Sequence, residues 1–287
     1  MPAPFEYHAA HSVREAVELL ERYGSEAKVL AGGQSLLPLM NLGLVQPAVI
    51  VDINSIPDLD YVRSVDGTIA IGALTRHATL EHDAVLRDRC PLLAEALALI
   101  GDRQVRNRGT IGGSLSHADP VAEIPTVATC LDAVMHAEGP AGGRDIPARE
   151  FFESYLTTSL QPAELLTEIR FPQTNGGGVS FKELVRRKGD FAIVAAAAVV
   201  ELAQDGTCTE ARLALAGVAP TPVRADTASL RGQKLSDDVL RAVAARACEG
   251  IEPESDVMAS ADYRRSMAPV FARRALAEAA DRARVHP

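Results

Sequence analysis

Two glycine pairs, Gly32-Gly33 and Gly112-Gly113, constrain this chain more than any other feature. The first interrupts VLAGGQSLLPLM, residues 29–40, where an apolar run stops, passes through Gln34 and Ser35, and resumes as an apolar segment containing Pro38. The second lies in GTIGGSLSHADP, residues 109–120. Glycine has no Cβ, so a backbone or an anion can approach it closely, and successive freed N–H groups form a concave anion nest. A single pair is an ordinary tight turn. Two matched pairs, each after an apolar stretch and before a small hydroxyl residue, Ser35 or Ser114, predict a diphosphate cradled between two loops. Neither is a P-loop, since no GxxxxGK precedes a Ser or Thr, and neither contains GxGxxG.

Charge fits that reading. With 29 basic against 38 acidic residues the formal charge is -9, which argues against nucleic acid and leaves backbone dipoles and helix N-termini to hold a dianion. The first residues, MPAPFEYHAAHSVREA, contain no apolar core of a signal peptide. The longest apolar run, Phe191 to Val200, is far short of the roughly 20 residues a membrane span needs. A cytoplasmic protein is expected. Cys90, Cys130, Cys208 and Cys248 stand alone, without a CxxC pair, so no metal or cluster is expected on this chain.

Along the chain, Ser12 and Glu15 form a capping box for a helix with Val13, Ala16, Val17 and Leu20 on one face, ending at Gly24. Ala27–Leu30 and Ala48–Ile53 read as strands, with Ser35 a candidate cap for 36–42. Asp66-Gly67 marks a hairpin between Tyr61–Val65 and Thr68–Ile71, so antiparallel pairing enters here. Residues 75–100 carry a helical stripe, Leu92, Leu93, Ala96, Leu97 and Ile100. A polar basic stretch follows, then a helix from Glu123 to Leu131 and strands at 133–137 and 165–171. Thr174 to Gly178 is the best linker. Beyond it, strands at 193–202 and 212–218 and helices at 237–248 and 262–285 predict a small antiparallel sheet backed by helices.

Ser114, His117 and Asp119 lie too close in sequence for a catalytic triad, whose members converge from separate segments. Asp119 and His117 are expected to tie down their loop through hydrogen bonds to backbone. Arg103, Arg106 and Arg108 form either a solvated face or a contact surface. In FKELVRRKGDF, residues 181–191, the charges are either exposed on an amphipathic strand and turn, or Lys182 complements phosphate or ribose while Phe191 packs on a flat ring.

AGGQSLLPLM (31–40), RNRGTIGGSLSHADPVAEIP (106–125) and FKELVRRKGDFAIVAAA (181–197) resemble the FAD-binding medium subunit of molybdenum hydroxylases, over the full chain. That family includes the medium subunit of aerobic carbon monoxide dehydrogenase and the flavin domain of xanthine dehydrogenase. The resemblance implies an α+β fold: a two-part FAD-binding domain of the vanillyl-alcohol-oxidase (PCMH) type at 1–175, with subdomains 1–57 and 58–175, then a smaller C-terminal domain at 179–287. It implies that Ala31, Gly32, Gly33, Gln34 and Ser35, with Thr110, Ile111, Gly112, Gly113 and Ser114, cradle the FAD diphosphate. Glu123, Leu166 and Lys182 fall where relatives touch FAD, and Phe191 stands in place of a tyrosine near the flavin ring. Ser114 replaces a frequent Asn, and Glu123 a frequent Asp. The implied partners are a large subunit with the molybdenum cofactor (molybdopterin) and a small 2Fe-2S subunit, assembled as a dimer of heterotrimers. None of the named residues is expected to act as an acid, base or nucleophile. A self-sufficient flavin oxidoreductase and a cofactor-free scaffold are the alternatives.

Overall fold

Ser12 begins the first helix: its hydroxyl accepts from the Glu15 amide at 3.1 Å, and the Glu15 carboxylate accepts from the His11 amide at 2.8 Å. Helix α1 (Val13–Tyr23) buries Ala16, Val17 and Leu20 and stops at Gly24. It lies against a parallel three-stranded sheet of β1 (Glu6–Ala9), β2 (Ala27–Leu30) and β3 (Val49–Asp52), with β3 central. The computed structural model describes residues 3–174 and 176–285, so Asn175 of the expected linker and the ends of both expected domains lie outside the described residues.

Helix α2 (Leu36–Asn41) follows the first glycine pair, but Ser35 does not cap it. Its backbone is already helical, with φ -109° and ψ -49°, whereas a capping hydroxyl needs an extended residue to fold back onto the amides.

The Asp66-Gly67 hairpin forms as expected, both residues with positive φ, 46° and 77°, which matches a right-handed strand twist. Its strands, β4 (Val62–Val65) and β5 (Thr68–Gly72), start an antiparallel sheet in the order β4-β5-β10-β6-β7, where β6 is Val134–Gly139, β7 Gly142–Pro147 and β10 Leu165–Pro172. A short helix α9 (Ala148–Phe151) and the small hairpin of β8 (Phe152–Ser154) and β9 (Thr157–Thr158) connect β7 to β10.

Residues 75–100 are not one helix. They form α3 (His77–His82), α4 (Ala84–Arg89) and α5 (Pro91–Leu97). Asp83 ends the first and caps the second through the Leu86 amide at 2.8 Å, and Pro91, which lacks an N–H, sits in the first turn of the third. The expected stripe still packs, since Leu92, Leu93, Ala96 and Leu97 are fully buried. The basic stretch becomes α6 (Arg103–Arg108), capped by Asp102. The second glycine pair also lies outside any loop: it is in the first turn of α7 (Ile111–His117). Helix α8 (Glu123–Leu131) follows.

Beyond the linker, β11 (Gly178–Leu184), β12 (Val194–Leu202), β13 (Cys208–Ala216) and β14 (Val223–Arg224) form an antiparallel sheet in chain order. Helices α10 (Asp237–Ala247) and α11 (Ala261–Val285) complete the chain. The alanines of β12 serve both faces: Ala196 and Ala198 pack with Ala275 and Ala279 of α11, while Ala195 and Ala197 join a core with Leu92, Val127 and Cys130. Small side chains let helix and strand approach closely, and at Gly178 a Cβ would overlap the Ala279 carbonyl of α11. The units on either side of the linker therefore share one apolar core. Among the described residues no helix is long and apolar enough to cross a membrane.

Candidate functional site

The fold brings the two glycine segments into contact. Gly32 packs on the backbone that enters the second segment: a Cβ there would overlap the Arg108 carbonyl and lie 2.9 Å from Gly109 Cα. The same carbonyl accepts from Arg76 Nη1 at 2.7 Å, and Arg76 Nη2 donates to Asn54 Oδ1 at 2.6 Å. Asn54 Nδ2 in turn donates to the Ala31 carbonyl at 2.8 Å. Asp52 fixes Asn54 by accepting its amide at 2.8 Å, and Tyr7 donates to the other Asp52 oxygen at 2.6 Å. Arg76 and Asn54 thus clamp the segments together. Sequence reasoning missed both; the one local signal was Asn54 two residues after Asp52, a spacing that suits an aspartate-centred turn.

The two segments offer different donors. Among the described residues, the amides of Gly32, Gly33, Gln34 and Ser35 have no hydrogen-bond acceptor, and Gly33 has φ +71°. A run of open amides around a left-handed residue is an anion nest. In the second segment the amides are already taken: Ile111 donates to the Thr75 carbonyl at 3.1 Å, Gly112 to Ala73 at 2.9 Å, and Ser114 to Thr110 at 3.0 Å. Gly113 donates to Thr110 Oγ1 at 3.1 Å. Gly112 is needed for packing, because a Cβ would come within 2.6 Å of Ala73 Cβ and 2.7 Å of its carbonyl oxygen. The expectation that both pairs leave space for an anion is corrected accordingly: at Gly32 and Gly112 the space is filled by protein backbone. What the second segment can still present is the Ser114 hydroxyl, 3.4 Å from His77 Nε2.

The remaining residues are spread more widely. Glu123 opens α8. Glu183 sits on the face of β11 that carries Phe181 into the shared core, and its Oε2 is buried without a partner among the described residues. Lys182 points to the opposite face, where it pairs with Glu278 of α11. Leu166 is buried in β10 within the same core. Phe191 is 64% exposed, at the end of the connection whose Gly189 leans on the Gly101 carbonyl. Arg106 is a structural tie, donating to Glu81 at 2.8 Å and to the Ile100 carbonyl at 2.9 Å, whereas Arg103 and Arg108 are exposed. Asp119 holds its loop by accepting from the Val121 amide at 3.0 Å; His117 makes no such bond among the described residues. A groove of about 820 Å³ lies elsewhere, between α1 and β6, lined by Glu18, Tyr61, His136 and Glu168 among others, and no residue of the two glycine segments lines it.

Burial shapes the ionisable groups. His77 is pushed down to about 4 by burial, helped by the charges of Arg106 and Arg76 and opposed by the Thr110 backbone. Burial raises Glu123 to about 7, with the Glu183 and Asp119 charges adding to it, and burial raises Glu183 to about 7. A carboxylate raised on folding from its unfolded value favours the fold fully below that value and loses the advantage as pH climbs through 7. Glu183→Gln is therefore expected to stabilise the FAD-free chain at pH 8 by on the order of 1–3 kcal/mol and to leave it unchanged at pH 4. Calorimetry at the two pH values checks this.

Comparison with known proteins decides the family. Residues 3–174 match the family described as "FAD binding domain in molybdopterin dehydrogenase", and residues 179–279 match the "CO dehydrogenase flavoprotein C-terminal domain". The chain belongs to this family of flavoproteins. This flavoprotein chain is 44% identical over 286 residues to the 6-hydroxypseudooxynicotine dehydrogenase complex subunit alpha of Paenarthrobacter nicotinovorans, covering 99% of this chain and 97% of that one. It is 42% identical to the carbon monoxide dehydrogenase medium chain of Hydrogenophaga pseudoflava, covering 96% and 97%. A solved carbon monoxide dehydrogenase from the same organism superposes with a TM-score of 0.96 and 43% identity, over 99% of each chain. The flavoprotein is thus a medium-chain FAD subunit of the molybdenum hydroxylase type, an oxidoreductase component. Its residues fit the cofactor: a row of open amides faces a hydroxyl-bearing helix start, which suits a diphosphate.

Proposed function

We propose that this chain is the electron-transfer subunit of a cytoplasmic molybdenum hydroxylase, holding FAD between a small 2Fe-2S subunit and an external acceptor. The observation that carries the reading is the clamped pair of glycine segments, with its run of open amides at Gly32 to Ser35. Residues 1–175 form the FAD-binding domain and 179–287 the C-terminal domain. FAD, when bound, exchanges electrons singly with one partner and in pairs with another. The chain's own residues bind and orient. Gly33, Gln34 and Ser35 donate backbone N–H groups to the diphosphate, Ser114 donates its hydroxyl, and Glu123 accepts from the cofactor's hydroxyls. Phe191, exposed at its loop, covers the flat ring. Leu166 acts through the position of β10, and Lys182 through its pairing with α11.

A large subunit carrying the molybdenum cofactor supplies the substrate site, in a dimer of heterotrimers. The two curated relatives named above bear on this: one belongs to a 6-hydroxypseudooxynicotine dehydrogenase and the other to a carbon monoxide dehydrogenase, at nearly equal identity to this chain. The medium chain is shared between unlike substrates, so the substrate is chosen elsewhere. Purification of the native assembly tests the reading: flavin, iron and molybdenum are expected to elute together with this chain. A chain that oxidises a substrate by itself, without iron or molybdenum, contradicts it.

A further inference from the structure

His77 opens α3, is 3% exposed, and lies beneath the start of α7. Its Nδ1 has no partner among the described residues and faces Gly109, where a Cβ would come within 2.8 Å of it. Its Nε2 approaches Ser114 Oγ at 3.4 Å. Burial, with the positive charges of Arg76 and Arg106 nearby, keeps the ring neutral at physiological pH, so it carries one N–H. On Nδ1 that hydrogen would be a buried donor with no acceptor in bonding geometry, since the Thr110 backbone favours the charged ring without forming such a bond to Nδ1. On Nε2 it is donated to Ser114 Oγ, and only a lone pair is left unmatched. The Ser114 hydrogen then cannot point back at His77 and is directed to an acceptor on the other side. The amides of Ile111 to Ser114 are already engaged within the protein and the Thr110 hydroxyl, which accepts from Gly113, is 2% exposed, so the Ser114 hydrogen is what the first turn of α7 has left to offer a ligand.

We propose that His77 is a positioning residue: through Nε2–H it holds the Ser114 hydroxyl so that the hydroxyl donates its hydrogen to the diphosphate of FAD. This rests on the FAD-binding reading above. The test is a mutant cycle on the full-length chain, stripped of flavin and titrated with FAD by flavin fluorescence. Ser114→Ala and His77→Leu are each expected to weaken FAD binding about tenfold, and the double variant also about tenfold, because both changes remove one bond. His77→Gln, which keeps an N–H near the Nε2 position, is expected to bind within about threefold of wild type. A purely structural role for His77 would make the double variant about a hundredfold weaker and leave His77→Gln as weak as His77→Leu; either result overturns the proposal. Unchanged affinity in Ser114→Ala overturns it as well, whether or not His77→Leu folds. A wild-type chain that takes up no FAD fails the FAD-binding reading itself, a result distinct from any of these.

Discussion

Gly32→Val and Gly112→Val abolish FAD retention, and they do so by separating protein from protein. At Gly32 the added atoms meet the Arg108 carbonyl and Gly109 Cα, and at Gly112 they meet Ala73. Both obstacles are backbone or Cβ atoms that cannot rotate away. Even alanine is expected to fail at Gly112. Its better helix propensity is worth about 1 kcal/mol, whereas forcing a methyl into a packed contact costs about 1–3 kcal/mol, and Gly112 also loses its 2.9 Å bond to Ala73 if α7 withdraws. The flavin-to-chain ratio after purification and the melting temperature measure the outcome. Ser116→Ala, on the exposed side of α7, is expected to keep wild-type values. If Gly32→Val and Gly112→Val hold FAD normally, the contact between the segments does not organise the site.

Arg76→Met carries the second large effect. The guanidinium reaches the Arg108 carbonyl and Asn54 Oδ1 at once, and removing it takes the donor from an exposed carbonyl and from a part-buried amide oxygen. At about 1.5–3 kcal/mol for a bond to a charged donor, and less for the exposed one to Arg108, the loss is about 2–4 kcal/mol, felt as a drop in FAD affinity of about 30- to 1000-fold because the first segment is no longer held against the second. Arg76→Lys is expected to recover less than half of this, since an ammonium cannot span two acceptors in the fork geometry of arginine. Titration of flavin-free chains with FAD compares the three. Equal affinities would remove the clamp from the account.

Much of this was legible in the residues. The Ser12 cap, the Asp66-Gly67 hairpin, the buried stripe on α5 and the close-packed alanines of β12 are local patterns, and local patterns are what a sequence displays. Residues 75–100 are helical as their pattern suggests, but the break into three helices was not legible, because Asp83 and Pro91 start helices as well as end them. The pairing of the glycine segments was inferred from their likeness, yet their mechanisms differ. Gly33 serves an open nest, Gly112 serves packing against Ala73, and the difference depends on which carbonyls lie opposite, which no residue pattern records. Asn54, Arg76 and His77 were missed for the same reason: each acts on a segment far away in sequence. Lys182 and Glu183 show the limit most simply, since a strand assigns adjacent residues to opposite faces, and only the packing of α11 reveals which face is which.

The most direct measurement is the flavin content of this chain, purified and then offered FAD. A yellow protein with FAD bound one to one is expected, and loss of that FAD when Gly32 and Gly33 are replaced together by valine while the C-terminal sheet and its helices stay folded. A wild-type chain that neither carries FAD nor takes it up would contradict the FAD-binding reading.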